Sequence, residues 1–512
     1  MLQNLKYFFK HTLIYSINNI ATKASGVILL PIYSAYLSLG DFGILGVIEV
    51  TILILVDLIN LGLAQSLVMM NNMDEYAGKK KEILFTIFSI SFLICVLFTI
   101  AGEFLLPSIA ALMDDPARYY FYLRITLYVI SFRILNNILL NKLRAEEKSG
   151  IYTIAGIFKL LLTIGFVIFF VAVKKMNVDG ILYAYLISEI VVLAILIPML
   201  INQMSVKFNS AALNTAVQFG VPLIFGSLAM MLLNLSDRYI IKYFLNNEMV
   251  GLYDLGYRVA GVLNMFVIVP LSLTLIPQAY KMFGKAGDKR YYSKLLTYLT
   301  FGLSWIGLGI ALFSKEAIKF LAQKESFWPS YEVVPVITLA SVFFGMRIVS
   351  SLGMYLNKKT KYVAYTTVAA AAINIALNII FIPKFGMMAA TYTRLISFVF
   401  LYLISYYYGN LAYKIPFENI KIAEVLAVGI FLYSAASYFN AGSLSIRLTL
   451  KTSALIVFPL ILYFLKFYEP IELIRIKGFY LKWKNPAKWG ENLKSFSFDA
   501  LASGKREIKI NE

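Results

Sequence analysis

Apolar positions in this chain do not alternate with polar ones at the period of a strand or of a half-buried helix. They run instead in nearly uncharged blocks, separated by short charged or turn-rich gaps. A helix rises about 1.5 Å per residue, so a block of about 20 residues spans a hydrocarbon core of about 30 Å. The pattern predicts fourteen transmembrane helices. Six cover 12–37, 42–70, 83–106, 119–140, 151–173 and 180–201; six more cover 216–245, 251–276, 295–313, 333–356, 362–382 and 387–408; a last pair covers 422–439, the weakest of them, and 448–465. The expected architecture is therefore an all-α polytopic membrane protein.

A weak internal repeat recurs at an offset of about 206 to 213 residues, the length of six spans with their loops. Phe42-Gly43-Ile44-Leu45 aligns with Val250-Gly251-Leu252-Tyr253, Lys148 with Lys361, and Ala184-Tyr185-Leu186-Ile187-Ser188 with Thr393-Arg394-Leu395-Ile396-Ser397. An even number of spans per repeat makes the halves parallel, related by an axis along the membrane normal. The expected divisions are a six-helix lobe at 1–205, a second at 206–410, an extra helix pair at 411–466 and a basic, aromatic cytoplasmic tail at 467–512. In such two-lobed folds the substrate site lies between the lobes near mid-membrane, and rocking of one lobe against the other alternates access to it.

Composition agrees with this class: 60% of the 512 residues are apolar and 15% charged, far from a soluble domain. The single cysteine, Cys95, and single histidine, His11, leave no disulfide framework, histidine-ligated metal or nucleophile-histidine triad to expect. The net charge of +19 is mostly topological. Lys79, Lys80, Lys81, Lys142, Arg144, Lys148, Lys207, Lys281, Lys285, Lys289, Arg290, Lys358, Lys359 and Lys361 fall in alternate loops, while Asp41, Glu103, Asp114, Asp115 and Asp179 fall on the other side. The positive-inside rule then puts both termini in the cytoplasm of a multi-pass plasma (inner) membrane protein. The first span is too long for a cleaved signal and is expected to stay. In the tail, Arg475, Lys477, Lys482, Lys484 and Lys488 interleave with Phe479, Tyr480, Trp483 and Trp489, the composition of a segment lying on anionic lipid rather than on nucleic acid.

Charges also lie within the spans: Lys23, Arg124, Arg133, Lys159, Arg258, Arg347 and Arg394, with Arg238 near an outer end. A lipid-facing cation at mid-membrane costs roughly 2.5–3.5 kcal/mol, and seven together roughly 20 kcal/mol, more than a typical fold's stability. They must face the protein interior. The acids Glu49, Asp57, Glu189, Asp237 and Asp254 are too few to pair with all of them. Asn19 with Lys23, Arg133 with Asn137, Lys159 with Thr163 and Asn374 with Asn378 each share a helix face. Arg124 is placed to snorkel outward, Asp254 and Arg258 have the spacing of an intrahelical ion pair, Asp237 and Arg238 form a candidate helix-end lock, and Tyr185 sits one turn from Glu189. The expectation is an electropositive cavity for an anionic group such as pyrophosphate, lined by Lys23, Arg133, Lys159, Arg258, Arg347 and Arg394. Glu49, Asp57 or Glu189 is the candidate site for a coupling H⁺ or Na⁺, with no other cofactor expected.

Leu30-Pro31-Ile32-Tyr33-Ser34-Ala35-Tyr36-Leu37-Ser38, leading to Asp41-Phe42-Gly43, resembles the first-to-second-span signature of bacterial polysaccharide (O-antigen-type) flippases of the multidrug/oligosaccharidyl-lipid/polysaccharide exporter superfamily, whose drug-exporting branch is the MATE transporters. Arg144 with Glu147-Lys148, Phe219-Gly220-Val221-Pro222, Ser236-Asp237-Arg238 with Val250-Gly251-Leu252-Tyr253, and Ile382-Pro383 with Gly386 are similar to that family's pattern. The resemblance covers about Thr12 to Leu465. It implies movement of an undecaprenyl-pyrophosphate-linked oligosaccharide to the outer leaflet for surface polysaccharide such as O-antigen or capsule, with a polymerase and chain-length proteins as partners. A peptidoglycan-precursor flippase and a multidrug exporter of the superfamily are the alternatives. An enzyme is not expected, because the outer loops are short and Asp114-Asp115 is their one acidic pair.

Overall fold

The computed structural model describes residues 26–438, 443–470, 472–474 and 478. The expectations placed on Lys23, on His11 and on the basic and aromatic side chains of the tail lie outside the described residues. The described residues divide into two compact units, one ending at Glu418 and one beginning at Asn419.

The larger unit begins with α1 (Leu30–Tyr36), α2 (Leu39–Ile59), α3 (Leu63–Asn71), α4 (Lys80–Ala110), α5 (Pro116–Ala145), α6 (Ser149–Val167) and α7 (Val178–Ile201). It continues with α8 (Ser210–Leu235), α9 (Asp237–Phe244), α10 (Asn247–Leu263), α11 (Val269–Met282), α12 (Asp288–Leu312), α13 (Ser314–Leu321), α14 (Val334–Ser350), α15 (Leu352–Leu356), α16 (Thr360–Phe385) and α17 (Met387–Ala412). In the smaller unit α18 (Asn419–Tyr438) and α19 (Leu444–Phe464) pack together, with Gly429 letting the Phe458 ring approach. Thirteen helices among the described residues are long and apolar enough to cross a membrane, and the first expected span is described only from Gly26 onward.

Polar residues at the breaks start the helices. Ser38 accepts from the Asp41 amide at the head of α2, Asp115 caps α5 ahead of Pro116, and Asn209 and Asn246 cap α8 and α10. The second expected span, 42–70, is divided. Leu61 and Gly62 adopt φ of 49° and 68°, ending α2 and starting α3 in a new direction. A side chain at Gly62 would sit 2.5 Å from the Gly220 carbonyl of α8, so the break is also a backbone-to-backbone contact between the halves. Ser66 of α3 reinforces it by donating to the Ala216 carbonyl at 2.7 Å.

The internal repeat appears as paired geometry. Gly43 of α2 faces the Asn247 carbonyl and Gly251 of α10 faces the Leu39 carbonyl, each glycine packing on the residue four positions before its counterpart. α7 and α17, which carry another aligned stretch, begin 209 residues apart at Val178 and Met387. The alignment of Lys148 with Lys361 is corrected by two residues. Glu147 and Lys358 hold the same positive φ of 57°, and the next amides, of Lys148 and Lys359, close the same turn onto Leu143 and Met354.

Candidate functional site

On the side of the bundle where α2, α5, α7 and α10 begin, here termed the Asp41 face, polar side chains join the halves. Lys242 donates to the Tyr119 hydroxyl at 3.0 Å, Asn247 to the same hydroxyl at 3.2 Å, and Lys324 reaches the Leu37 carbonyl at 2.7 Å, while deeper in the bundle Thr51 and Tyr239 share a hydrogen bond of 2.6 Å. Below this contact a cavity of about 290 Å³ opens between the halves, bordered by Gly26 and Glu49 from the first and by Arg238, Asp254, Tyr257 and Arg258 from the second.

The polar side chains around it form an ionic band. Arg258 donates through Nη2 to Glu49 Oε2 at 2.6 Å, joining the halves, and through Nε to Asp254 Oδ2 at 2.7 Å. The other Asp254 oxygen takes both Nε and Nη2 of Arg238, at 2.7 and 2.6 Å. Glu49 also accepts from the Tyr185 hydroxyl at 2.5 Å, and Tyr185 meets Tyr33 at 3.3 Å. Gly46 makes room: a side chain there would stand 3.1 Å from Asp254 Cγ.

Within the first half, Glu189 is fully buried and receives Arg133 Nε at 2.6 Å, Lys159 Nζ at 2.7 Å and Asn136 Nδ2 at 2.9 Å. Two cations on one carboxylate leave a local charge of +1, and both cationic side chains keep about a quarter of their surface open, 24% and 22%. In the second half, Arg394 donates to Asp237 Oδ2 at 3.1 Å and to the carbonyl and side-chain oxygens of Asn234 at 3.0 and 2.9 Å, beneath Tyr257 and Phe398. Asp237 is held further by Tyr253 and by Asn378, which donates at 2.7 Å; Asn378 in turn accepts from Thr393.

Of the sequence-predicted residues, Arg133, Lys159 and Glu189 thus meet in one cluster and Glu49 and Arg258 in another, while Arg394 belongs to a third. Arg347 stands apart, buried beside Thr367 at 2.9 Å with no carboxylate partner among the described residues. Asp57 is half-buried near the end of α2 with no hydrogen bond or ion pair among the described residues. Arg124 reaches outward to Glu103 at 2.9 Å, as its position implied. Two local expectations are corrected. Tyr185 bonds Glu49 of α2 rather than Glu189, whose two oxygens are taken by Arg133, Lys159 and Asn136. Asp237 and Arg238 do not lock to each other; adjacent on a helix, they point about 100° apart and take partners on α17 and α10.

Reasoning from sequence missed Asn136, Asn234 and Tyr257. Their polarity within apolar spans was the available signal, since an unsatisfied amide is costly in hydrocarbon. Across the three clusters, five cations (Arg133, Lys159, Arg238, Arg258, Arg394) face four acids (Glu49, Glu189, Asp237, Asp254), a surplus of one positive charge among these residues, with Arg347 apart from them. Arg238 Nη1, Arg347 Nε and Arg394 Nε have no acceptor within the described residues. The positive charge left over for an anion sits at the partly open Arg133–Lys159 pair.

A family model described as polysaccharide biosynthesis protein matches residues 8–283. An uncharacterised membrane protein of Methanocaldococcus jannaschii is 22% identical over 243 residues, 44% of this chain and 45% of that protein. A probable low-salt glycan biosynthesis flippase of Haloferax volcanii is 23% identical over 189 residues, 36% and 40% of the two chains. The chain thus spans less than half the length of either relative. Among solved structures, the lipid II flippase MurJ in an inward closed conformation is similar with a TM-score of 0.70 at 15% identity, covering 89% of this chain and 99% of that one. An inward-facing multidrug resistance MATE family transporter gives a TM-score of 0.63 at 15% identity, covering 76% and 94%. Both similarities concern the fold.

Proposed function

The chain belongs to the polysaccharide biosynthesis protein family, and from that premise we propose that it is a flippase, moving an undecaprenyl-pyrophosphate-linked oligosaccharide from the cytoplasmic to the outer leaflet of the plasma membrane, with both of its termini in the cytoplasm. The observation that carries this reading is the ionic band: guanidinium and carboxylate groups paired around a cavity between two halves, with one net positive charge at the partly open Arg133–Lys159–Glu189 cluster of the first half. A pyrophosphate head would balance that positive charge, and bidentate guanidinium contacts suit phosphate oxygens. Arg133 and Lys159 are the first-half clamps, Arg258 and Arg394 the second-half ones, and Arg347 and Lys23 complete the set. The polyprenyl tail stays in lipid, so the protein shelters the head group and glycan alone.

The Glu49–Arg258 pair ties the halves and gives coupling a physical form. A proton on Glu49 removes the charge that holds Arg258, freeing the halves to separate; Glu189 and Asp57 are the other carboxylates placed to take H⁺ or Na⁺. A polymerase and chain-length proteins would act on the delivered glycan.

A peptidoglycan-precursor flippase is the second reading, favoured by the full-length likeness to the lipid II flippase fold. A drug exporter fits less well, since cationic drugs would meet a cationic band. Deleting the gene and probing spheroplasts with a leaflet-selective glycan reagent tests these readings. Intact polysaccharide repeat units trapped on the cytoplasmic face are the expected result. Accumulation of peptidoglycan precursor instead selects the second reading, and an unchanged leaflet distribution of both overturns flipping.

A further inference from the structure

A second cavity, of about 650 Å³, lies on the Asp41 face within the first half, away from the ionic band. Its volume is within the range of about 300–1,000 Å³ usual for small-molecule sites. The heads of α2, α5 and α7 converge on it. The Phe121 and Tyr183 rings, edge to face with centroids 5.9 Å apart, form an aromatic wall, and Phe121 keeps 37% of its surface open. At the floor Arg118 pairs with Asp41 and donates through Nε to the Tyr122 hydroxyl at 2.8 Å, while its guanidinium lies over the Tyr122 ring. The rim is different. Asp179, half-buried, and the hydroxyl of Tyr183 have no hydrogen-bond partner among the described residues, and the Asn177 side chain projects there without one as well.

We propose that this cavity is a binding site for neutral or amino sugars of an oligosaccharide. Sugar rings present C–H faces that stack on aromatic rings, and peripheral hydroxyls that donate to carboxylates. The Phe121–Tyr183 wall and Asp179, whose carboxylate has no hydrogen-bond partner among the described residues, provide those two partners side by side. Charge sets the specificity: Asp41 neutralises Arg118, so the net charge is Asp179's, which repels uronic acids, sulfated sugars and lipid phosphates and accepts hydroxyl or ammonium donors. Asp179 also lies in the first turn of α7, where any carboxylate is favourable, but that position does not require the aromatic wall beside it. On the flippase reading, on which this inference rests for the choice of ligand, the cavity receives glycan at the face opposite Lys80 while the head group is still in the ionic band.

The test is a glycan array of neutral, amino-sugar and uronic-acid oligosaccharides, probed with the full chain in lipid nanodiscs, followed by titration of the best neutral ligand. Neutral or amino-sugar glycans are expected to bind and uronic-acid glycans not. Asp179→Asn and Tyr183→Ala are each expected to weaken binding at least tenfold with an unchanged thermal midpoint. Absence of binding, a preference for uronic acids, or full affinity in both variants overturns the proposal. Should Tyr183→Ala fail to fold, Phe121→Leu, on the exposed side of the wall, takes its place. The two readings fail separately: flipping without binding of free glycan here overturns the cavity alone, and binding without flipping overturns the transport reading alone.

Discussion

At the residue scale, buried charge and backbone contact decide what each position tolerates. Removing the acid from under Arg133 and Lys159 leaves two buried cations unpaired, and breaking a buried pair in this sense costs about 3–5 kcal/mol. Glu189→Gln should therefore lower the thermal midpoint in detergent much more than Arg133→Gln, which leaves Lys159 to neutralise the acid; equal losses would refute this account of the cluster. At Gly251 a methyl group would stand 2.4 Å from the Leu39 carbonyl, whereas at Gly226 nothing lies within 4 Å. Gly251→Ala should cost at least the roughly 1–3 kcal/mol of an overpacked core, and Gly226→Ala should be neutral or stabilising in the same melt. Glu146, beyond the end of α5, is pushed up by burial, but the ammonium groups of Lys148 and Lys142, at 2.9 and 3.0 Å, outweigh that and hold its carboxyl below the usual range. A folded value below the unfolded one means that its contribution is complete above the usual glutamate range near about pH 4.3 and disappears as pH falls through the depressed value. Thermal melts from neutral to acidic pH should show that loss in the wild type and its absence in Glu146→Gln.

At the element scale the tenth and eleventh helices matter most. Between α10 and α11 the backbone passes through a π-helical stretch, Asn264–Ile268, just below Arg258, with Pro270 and Pro277 following. π-bulges insert one residue into an α-helix and recur at functional sites. Deleting Asn264 should regularise the helix, leave insertion and thermal stability intact, and abolish glycan translocation; undiminished translocation would show that the bulge has no part in movement. The sequence disclosed the span at 251–276 and its prolines, but not the bulge, because one extra residue in a uniformly apolar run leaves no mark in hydropathy. The break at Leu61–Gly62 was hidden in the same way: Gly62 was visible, yet only the Gly220 backbone packed against it explains why the chain turns there.

At the scale of the whole molecule, the proposed flippase would have to part its two halves at the Asp41 face. Gly40 and Glu248 lie opposite one another there, with a side chain at Gly40 placed 3.8 Å from Glu248 Cγ, within reach of a disulfide. In a Cys95→Ala background, Gly40→Cys with Glu248→Cys should crosslink under oxidation and stop translocation until reductant is added. Continued translocation with the crosslink complete would mean that the halves do not separate on this face. The sequence by itself determined the all-helical membrane class and that cations in the spans must avoid lipid, because both follow from the free energy of transferring residues into hydrocarbon, a property summed along the chain. Only the tertiary structure decided the partners: that Glu189 takes both Arg133 and Lys159, that Arg258 reaches across to Glu49 rather than staying with Asp254 alone, and that Asp237 and Arg238 turn away from each other. Pairing depends on which helix faces meet, and contacts between residues as far apart as 49 and 258 are fixed by packing that no local spacing encodes.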